Sequence, residues 1–141
     1  MSQWIPWLPD YEVGVPQIDE QHRELFRMFN ELMDATWDGK GKEHAKASLA
    51  FLADYVVKHF AMEESLMQRH DYSGYAAHKK IHDDFSKEVG YFIEEYHSKE
   101  INTDLLVQMV LKVGQWTRDH IRSMDLELGR LLVSKEIGRR T

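Results

Sequence analysis

The sequence contains no cysteine, which excludes disulfides, thiolate zinc sites, cysteine-ligated iron–sulfur clusters and thiol nucleophiles. Proline is nearly as scarce. Pro6, Pro9 and Pro16 are the only three, all within the first sixteen residues, so nothing after Pro16 interrupts a helix. No apolar run approaches the roughly 18–20 residues that span a bilayer, and a membrane is not an expected partner. The opening MSQWIPWLPDYE has no basic stretch followed by an apolar one; it does not read as a secretory signal, and a cytoplasmic location is the expectation. Excess positive charge is missing too. With 18 Lys+Arg against 24 Asp+Glu and a formal charge of −6, the chain has the wrong sign for neutralising phosphates, so nucleic acid is not an expected partner either. No Gly-rich phosphate loop and no His-Glu-x-x-His occurs, which leaves NTPase and zinc-peptidase readings without support.

What is present is a chain of 141 residues, 43% hydrophobic and 30% charged, enough for one domain with a real core. A single domain over 1–141 is expected. Turn signals at Asp38-Gly39-Lys40-Gly41, at Asp71-Tyr72-Ser73-Gly74 and from His97 to Thr103 divide it. They predict an N-terminal arm over 1–17 and helices over about 18–37, 42–69, 74–97 and 103–132, with Ser73 and Asn102 or Thr103 as N-caps. Each segment carries an apolar stripe at steps of three and four. The first runs through Ile18, His22, Leu25, Phe29 and Leu32; the third through Tyr75, His78, His82, Phe85, Val89 and Phe92. Short loops between long helices predict an all-α fold, an up-down-up-down antiparallel four-helix bundle. The arm, with Trp4, Ile5, Trp7 and Leu8, is expected to be an extended strap on the bundle surface.

Histidine and acidic residues interrupt these stripes, and a buried carboxylate left unpaired costs several kcal/mol. Their axial positions explain them. His22 lies early in the first helix, His59 and Glu63 late in the second, His78 and His82 early in the third, His120 and Asp125 late in the fourth. In an antiparallel bundle these are the same end, and at about 1.5 Å rise per residue the seven side chains fall within about two turns. His59/Glu63 and His78/His82 are i, i+4 pairs, about 40° apart around a helix, so each pair faces one way. His120/Asp125 is i, i+5, about 140° apart on an ideal α-helix, which predicts a π-type irregularity between them. Five imidazoles and two carboxylates form a nitrogen and oxygen set that suits iron, with manganese, zinc or nickel as alternatives. Seven ligands exceed one octahedral metal. Two metals accommodate them if Glu63 and Asp125 bridge and one solvent-derived oxygen bridges too, with three His on one metal and two on the other; one position then stays open.

The residues His22 in GVPQIDEQH, His59 and Glu63 in HFAMEE, His78 and His82 in HKKIH, and His120 and Asp125 in HIRSMD resemble a bacterial hemerythrin over essentially the whole chain. That resemblance implies two Fe ions (Fe2+/Fe3+). His78, His82 and His120 would bind the filled iron and His22 and His59 the open one, with Glu63, Asp125 and an oxo or hydroxo group bridging. It implies O2 as the ligand of the open position and an apolar wall there, for which Trp116, Thr117 and Ile121 are the candidates. Thr117 departs from the family, whose members commonly carry an apolar residue at that place; a hydroxyl there can bond the ligand or admit water. The leading expectation is an oxygen carrier or buffer without chemical turnover of its own. A sensing module read by a separate signalling or oxidase partner is the second reading. A di-iron enzyme of the peroxidase or nitric-oxide-handling kind is the third. Ferritin-like di-iron enzymes need two Glu-x-x-His motifs, and Glu94 to His97 is a single match at the far end. His44, His97 and Glu64 are expected at the surface, and His70 in a loop at the site's end of the bundle.

Overall fold

The computed structural model describes residues 4–37, 42–98 and 103–135, with no side chains described at 42–45, 97, 98 and 103–105. The 38–41 turn, the Asn102 cap and the side chains of His44 and His97 lie outside the described residues. Helices α1 (Pro16–Trp37), α2 (Lys42–Arg69) and α3 (Tyr75–Ser98) are followed by α4 (Thr103–His120), a π-helical turn (Ile121–Asp125) and α5 (Leu126–Ser134). Backbone angles at His120 and Leu126 stay right-handed helical, so α4, the π turn and α5 form one rod. Helix α1 packs on α2 and α4, and α3 packs on α2 and α4. This is an up-down-up-down four-helix bundle, as the sequence predicts, and the described residues contain no strand. Asp71, at φ 51°, takes the left-handed conformation that a short polar side chain tolerates. It turns the chain from α2 into α3.

The apolar stripes meet in two clusters. One fills the length of the bundle, with Phe29, Leu32, Met33, Leu52, Val56, Phe60, Phe85 and Val110 among its buried members. The other closes the end at which α2 finishes and α3 begins, from Ile18, Phe26, Leu66, Met67, Ile121, Leu128 and Leu132. Burying each such side chain stabilises the fold by about 1.5–3 kcal/mol. The donor-rich layer lies between these two apolar masses, screened from water on both sides.

The arm is more than a surface strap. Ile5, Tyr11, Val13 and Val15 are all buried and complete the second cluster, while Leu8 stays exposed and Trp4 and Trp7 half-buried. Extended chain exposes its N–H and C=O groups, which need partners when buried. The Asn30 side chain exchanges hydrogen bonds with Ile5, donating to its carbonyl and accepting from its N–H at 3.0 Å each. Asp19 accepts from Val13 N–H at 2.7 Å and Gly14 N–H at 3.2 Å. Gly14 holds a φ of 89°, which glycine adopts without steric strain. On the rod, a Cβ at Gly129 would sit 2.3 Å from the Val13 carbonyl oxygen, so only glycine lets the arm lie this close. Asp19→Ala removes the acceptor of two backbone N–H groups. It is expected to lower stability by about 2 kcal/mol or more in urea unfolding; a change below about 0.5 kcal/mol would show that the clasp contributes nothing.

Candidate metal centre

The rod and the three other helices deliver seven buried side chains to one layer. In α1 His22 turns inward on the stripe of Ile18 and Leu25, and α2 presents His59 and Glu63 one turn apart. The first two turns of α3 present His78 and His82, and α4 ends on His120. The predicted irregularity after His120 is present as the π turn, where Leu126 N–H bonds to Ile121 O, five residues back. A turn closed i→i+5 returns Asp125 to the face of His120. Their nearest atoms, His120 Nε2 and Asp125 Oδ1, are 3.2 Å apart.

Potential donor atoms fall into two overlapping groups, each lying within 4.8 Å of one another: Glu63, His78, His82, His120 and Asp125, and His22, His59, Glu63 and Asp125. Both carboxylates belong to both groups. Three imidazoles stand on one side and two on the other, the division that the ligand count demands.

The contacts inside this cluster are those of atoms that need a cation. His120 Nε2 lies 3.0 Å from His82 Nε2 and 3.1 Å from His78 Nε2, and nitrogen lone pairs converging at that distance repel unless a proton or metal ion lies among them. His59 Nε2 is 2.9 Å from Glu63 Oε2 without a hydrogen bond between them. His59 Nε2, Glu63 Oε1 and Asp125 Oδ1 are all left without a hydrogen-bond partner. Buried polar atoms are almost always paired. Orphaned donors on nitrogen and oxygen, aimed at common points, fit metal ions.

Without metal, the cluster must hold its charge in protons. Burial would push the carboxyls of Glu63 and Asp125 up, but the surrounding imidazoles hold both well below the usual carboxylate range. Burial likewise opposes protonation of His22, and the hydrogen bonds and charges of Asp125 and Glu63 outweigh it, carrying His22 up to about 9. His59 goes the other way. Its burial prevails over Glu63 and lowers it, leaving its ring neutral.

Several neighbours complete the site. The side chain of Glu64, expected at the surface, is instead turned inward: it is half-buried, and its Oε2 accepts from His82 Nδ1 at 3.0 Å. Gln21 Oε1 accepts from His59 Nδ1 at 2.7 Å. Phe60 stacks on His82 with centroids 3.8 Å apart and planes at 4°. Trp116 stacks on His120 at 4.6 Å and on Phe85 at 3.7 Å. Ile121 is buried among the apolar residues that close the bundle end, and Trp116 packs on the cluster that runs along the bundle. Thr117 is buried, and its hydroxyl donates to Val113 O at 3.0 Å. His70 sits half-buried in the turn after α2, outside both donor groups. The sequence does not mark Gln21, Phe60 or Glu64 as part of the site. Each adjoins a predicted ligand in the chain, which is the only signal they carry.

Comparison with known proteins agrees with this geometry. Residues 13–132 match the family profile described as Hemerythrin HHE cation binding domain. The chain is 36% identical to a bacteriohemerythrin of Pseudomonas aeruginosa over 86% of this chain and 76% of that one. It is 34% identical to a bacteriohemerythrin of Methylococcus capsulatus, over 87% and 92%. It is 28% identical to a hemerythrin of Sipunculus nudus, over 89% and 92%. The crystal structure of a wild-type hemerythrin superposes with a TM-score of 0.81 at 31% identity, covering 90% of this chain and 96% of that one. A bundle of four helices that gathers five imidazoles around two shared carboxylates, matched along nearly its whole length by these relatives, belongs to the hemerythrin family.

Proposed function

We propose that this chain binds O2 reversibly at a non-heme di-iron centre and serves as a cytoplasmic oxygen carrier or buffer, one domain over 1–141 without chemical turnover of its own. The observation that carries the reading is the unequal sharing of donors: Glu63 and Asp125 stand in both donor groups, with three imidazoles on one side and two on the other. His78, His82 and His120 would hold one iron, His22 and His59 the other, and Glu63 and Asp125 would bridge them. The two-imidazole side then keeps a position for a small ligand. Bound ferrous ions supply the two electrons on which reversible O2 binding draws.

The rest is done by the chain. Reversibility requires that no proton reach the ligand and that water stay out. The donor layer lies between two apolar clusters, and Trp116, Thr117 and Ile121 remain the proposed wall. The hydroxyl of Thr117, which could bond the ligand or admit water, is turned onto the carbonyl of its own helix. Its one proton is used inside the helix, so it adds no unpaired donor to the site. Thr117→Val is therefore expected to change the autoxidation rate by less than about threefold, or about 0.7 kcal/mol in barrier. A tenfold slowing would instead assign the hydroxyl a part in bringing in water.

The reading is tested by loading the chain anaerobically with ferrous iron and cycling air and vacuum while recording spectra. A visible band that appears in air and vanishes under vacuum over repeated cycles is the expected result. Irreversible oxidation with peroxide release in the first cycle would overturn it in favour of a sensor or an enzyme.

A further inference from the structure

A ligand imidazole is held in place through its second nitrogen, and the partner of that nitrogen sets both ring orientation and basicity. Within the five-imidazole cluster the far nitrogens are treated unequally. His22, His78 and His120 leave Nδ1 without a hydrogen-bond partner. His59 and His82 do not. His59 Nδ1 donates to the amide oxygen of Gln21 at 2.7 Å, and His82 Nδ1 donates to the carboxylate of Glu64 at 3.0 Å. In both, the donated proton fixes the tautomer, leaving the Nε2 lone pair inward; His82 Nε2 reaches within 3.3 Å of Glu63 Oε1 and His59 Nε2 within 2.9 Å of Glu63 Oε2.

We propose that Glu64 and Gln21 are positioning residues that make the two metal positions electronically unequal, with an anionic partner behind the three-imidazole side and a neutral one behind the two-imidazole side. This rests on the proposed di-iron reading. A carboxylate behind His82 draws its Nδ1 proton and enriches the ring, so the metal on that side is held more firmly and favours the ferric state. An amide behind His59 orients the ring without enriching it, leaving the side with the free position more labile. Lys79 completes the outer face. Its ammonium lies 3.5 Å from Glu64 Oε1 and 3.1 Å from Asp83 Oδ1, holding the outer oxygen while the inner one faces His82. Glu64 therefore links a surface cation to a ligand ring through one hydrogen bond on each side.

The test uses the full chain and ferrous iron alone, titrated anaerobically into the metal-free form of wild type, Glu64→Ala, Glu64→Gln and Gln21→Glu. Mössbauer spectra of the 57Fe-loaded forms separate the two positions, and melting of the metal-free forms is followed alongside. Glu64→Ala is expected to weaken one of the two iron-binding steps by about 10–100-fold, the usual loss for such a partner, with the other step little changed. Glu64→Gln is expected to recover most of that affinity, because the amide still accepts the Nδ1 proton, while the spectrum of one iron alone shifts. Gln21→Glu is expected to shift the other iron's spectrum instead. Melting of the metal-free forms should be unmoved by Glu64→Gln. Wild-type affinities and spectra in all three variants would overturn the inference, as would equal loss at both steps together with a lower metal-free melting temperature. Failure of the wild type itself to take two irons would count against the di-iron reading, a distinct result.

Discussion

Removing the metal from the reconstituted protein is expected to lower its midpoint of thermal unfolding by about 10 °C or more, while the metal-free chain still folds near neutral pH. A ligand bound by the folded state alone, at about a thousand times its dissociation constant, adds about 4 kcal/mol. For a domain of this size each kcal/mol moves the midpoint by about 2–4 °C. The origin is visible in the cluster. His59 Nε2, Glu63 Oε1 and Asp125 Oδ1 are buried without partners, a penalty that a bound cation removes. Complete unfolding is not expected, because the site holds some counter-charge of its own. His22 is pushed up to about 9 by Asp125 and Glu63, so it stays protonated at neutral pH and partly neutralises both carboxylates. A shift below about 2 °C between metal-free and iron-loaded protein would mean that the seven side chains are not its ligands.

Substitution of the shared carboxylates should have the other large effect. Glu63 and Asp125 each contribute to both donor groups, whereas His59 contributes to one. Glu63→Ala or Asp125→Ala is expected to reduce bound iron from two per chain to close to none, because each site loses an oxygen and the charge that binds a divalent cation. His59→Ala should leave about one iron, held on the three-imidazole side. Metal analysis after desalting separates the two patterns. Equal loss for His59→Ala and Glu63→Ala would contradict the division of donors into two overlapping sets.

Much of this site was legible in the sequence because its ligands follow helical periodicity. His59 and Glu63, and His78 and His82, repeat at four residues, and antiparallel packing fixes their common level. Even the departure was readable. A five-residue step from His120 to Asp125 on one face requires an extra residue in the turn, and the π segment supplies it. The outer partners were hidden for the opposite reason. Gln21 and Glu64 are chain neighbours of His22 and Glu63, about 100° around the helix, which from sequence alone reads as pointing away. They face inward only because a neighbouring helix brings His59 or His82 against them. The arm was misjudged in a related way. Trp4, Ile5, Trp7 and Leu8 suggested that it packs on the bundle, and Ile5 is buried, but so are Tyr11, in a 3-10 turn over Pro9–Tyr11, and Val13 and Val15 beyond it, with the backbone held by Asp19 and Asn30. Such long-range side-chain clasps have no periodic signature. The direction of the Thr117 hydroxyl is a rotamer choice, set by the carbonyl of Val113 one turn back.

The most direct measurement is iron-edge anomalous diffraction from crystals of the ferrous-loaded chain grown without oxygen. Two iron peaks are expected, one beside His78, His82 and His120, the other beside His22 and His59, with Glu63 and Asp125 touching both. A single peak, peaks elsewhere in the bundle, or a protein side chain filling the remaining position on the two-imidazole side would contradict the account.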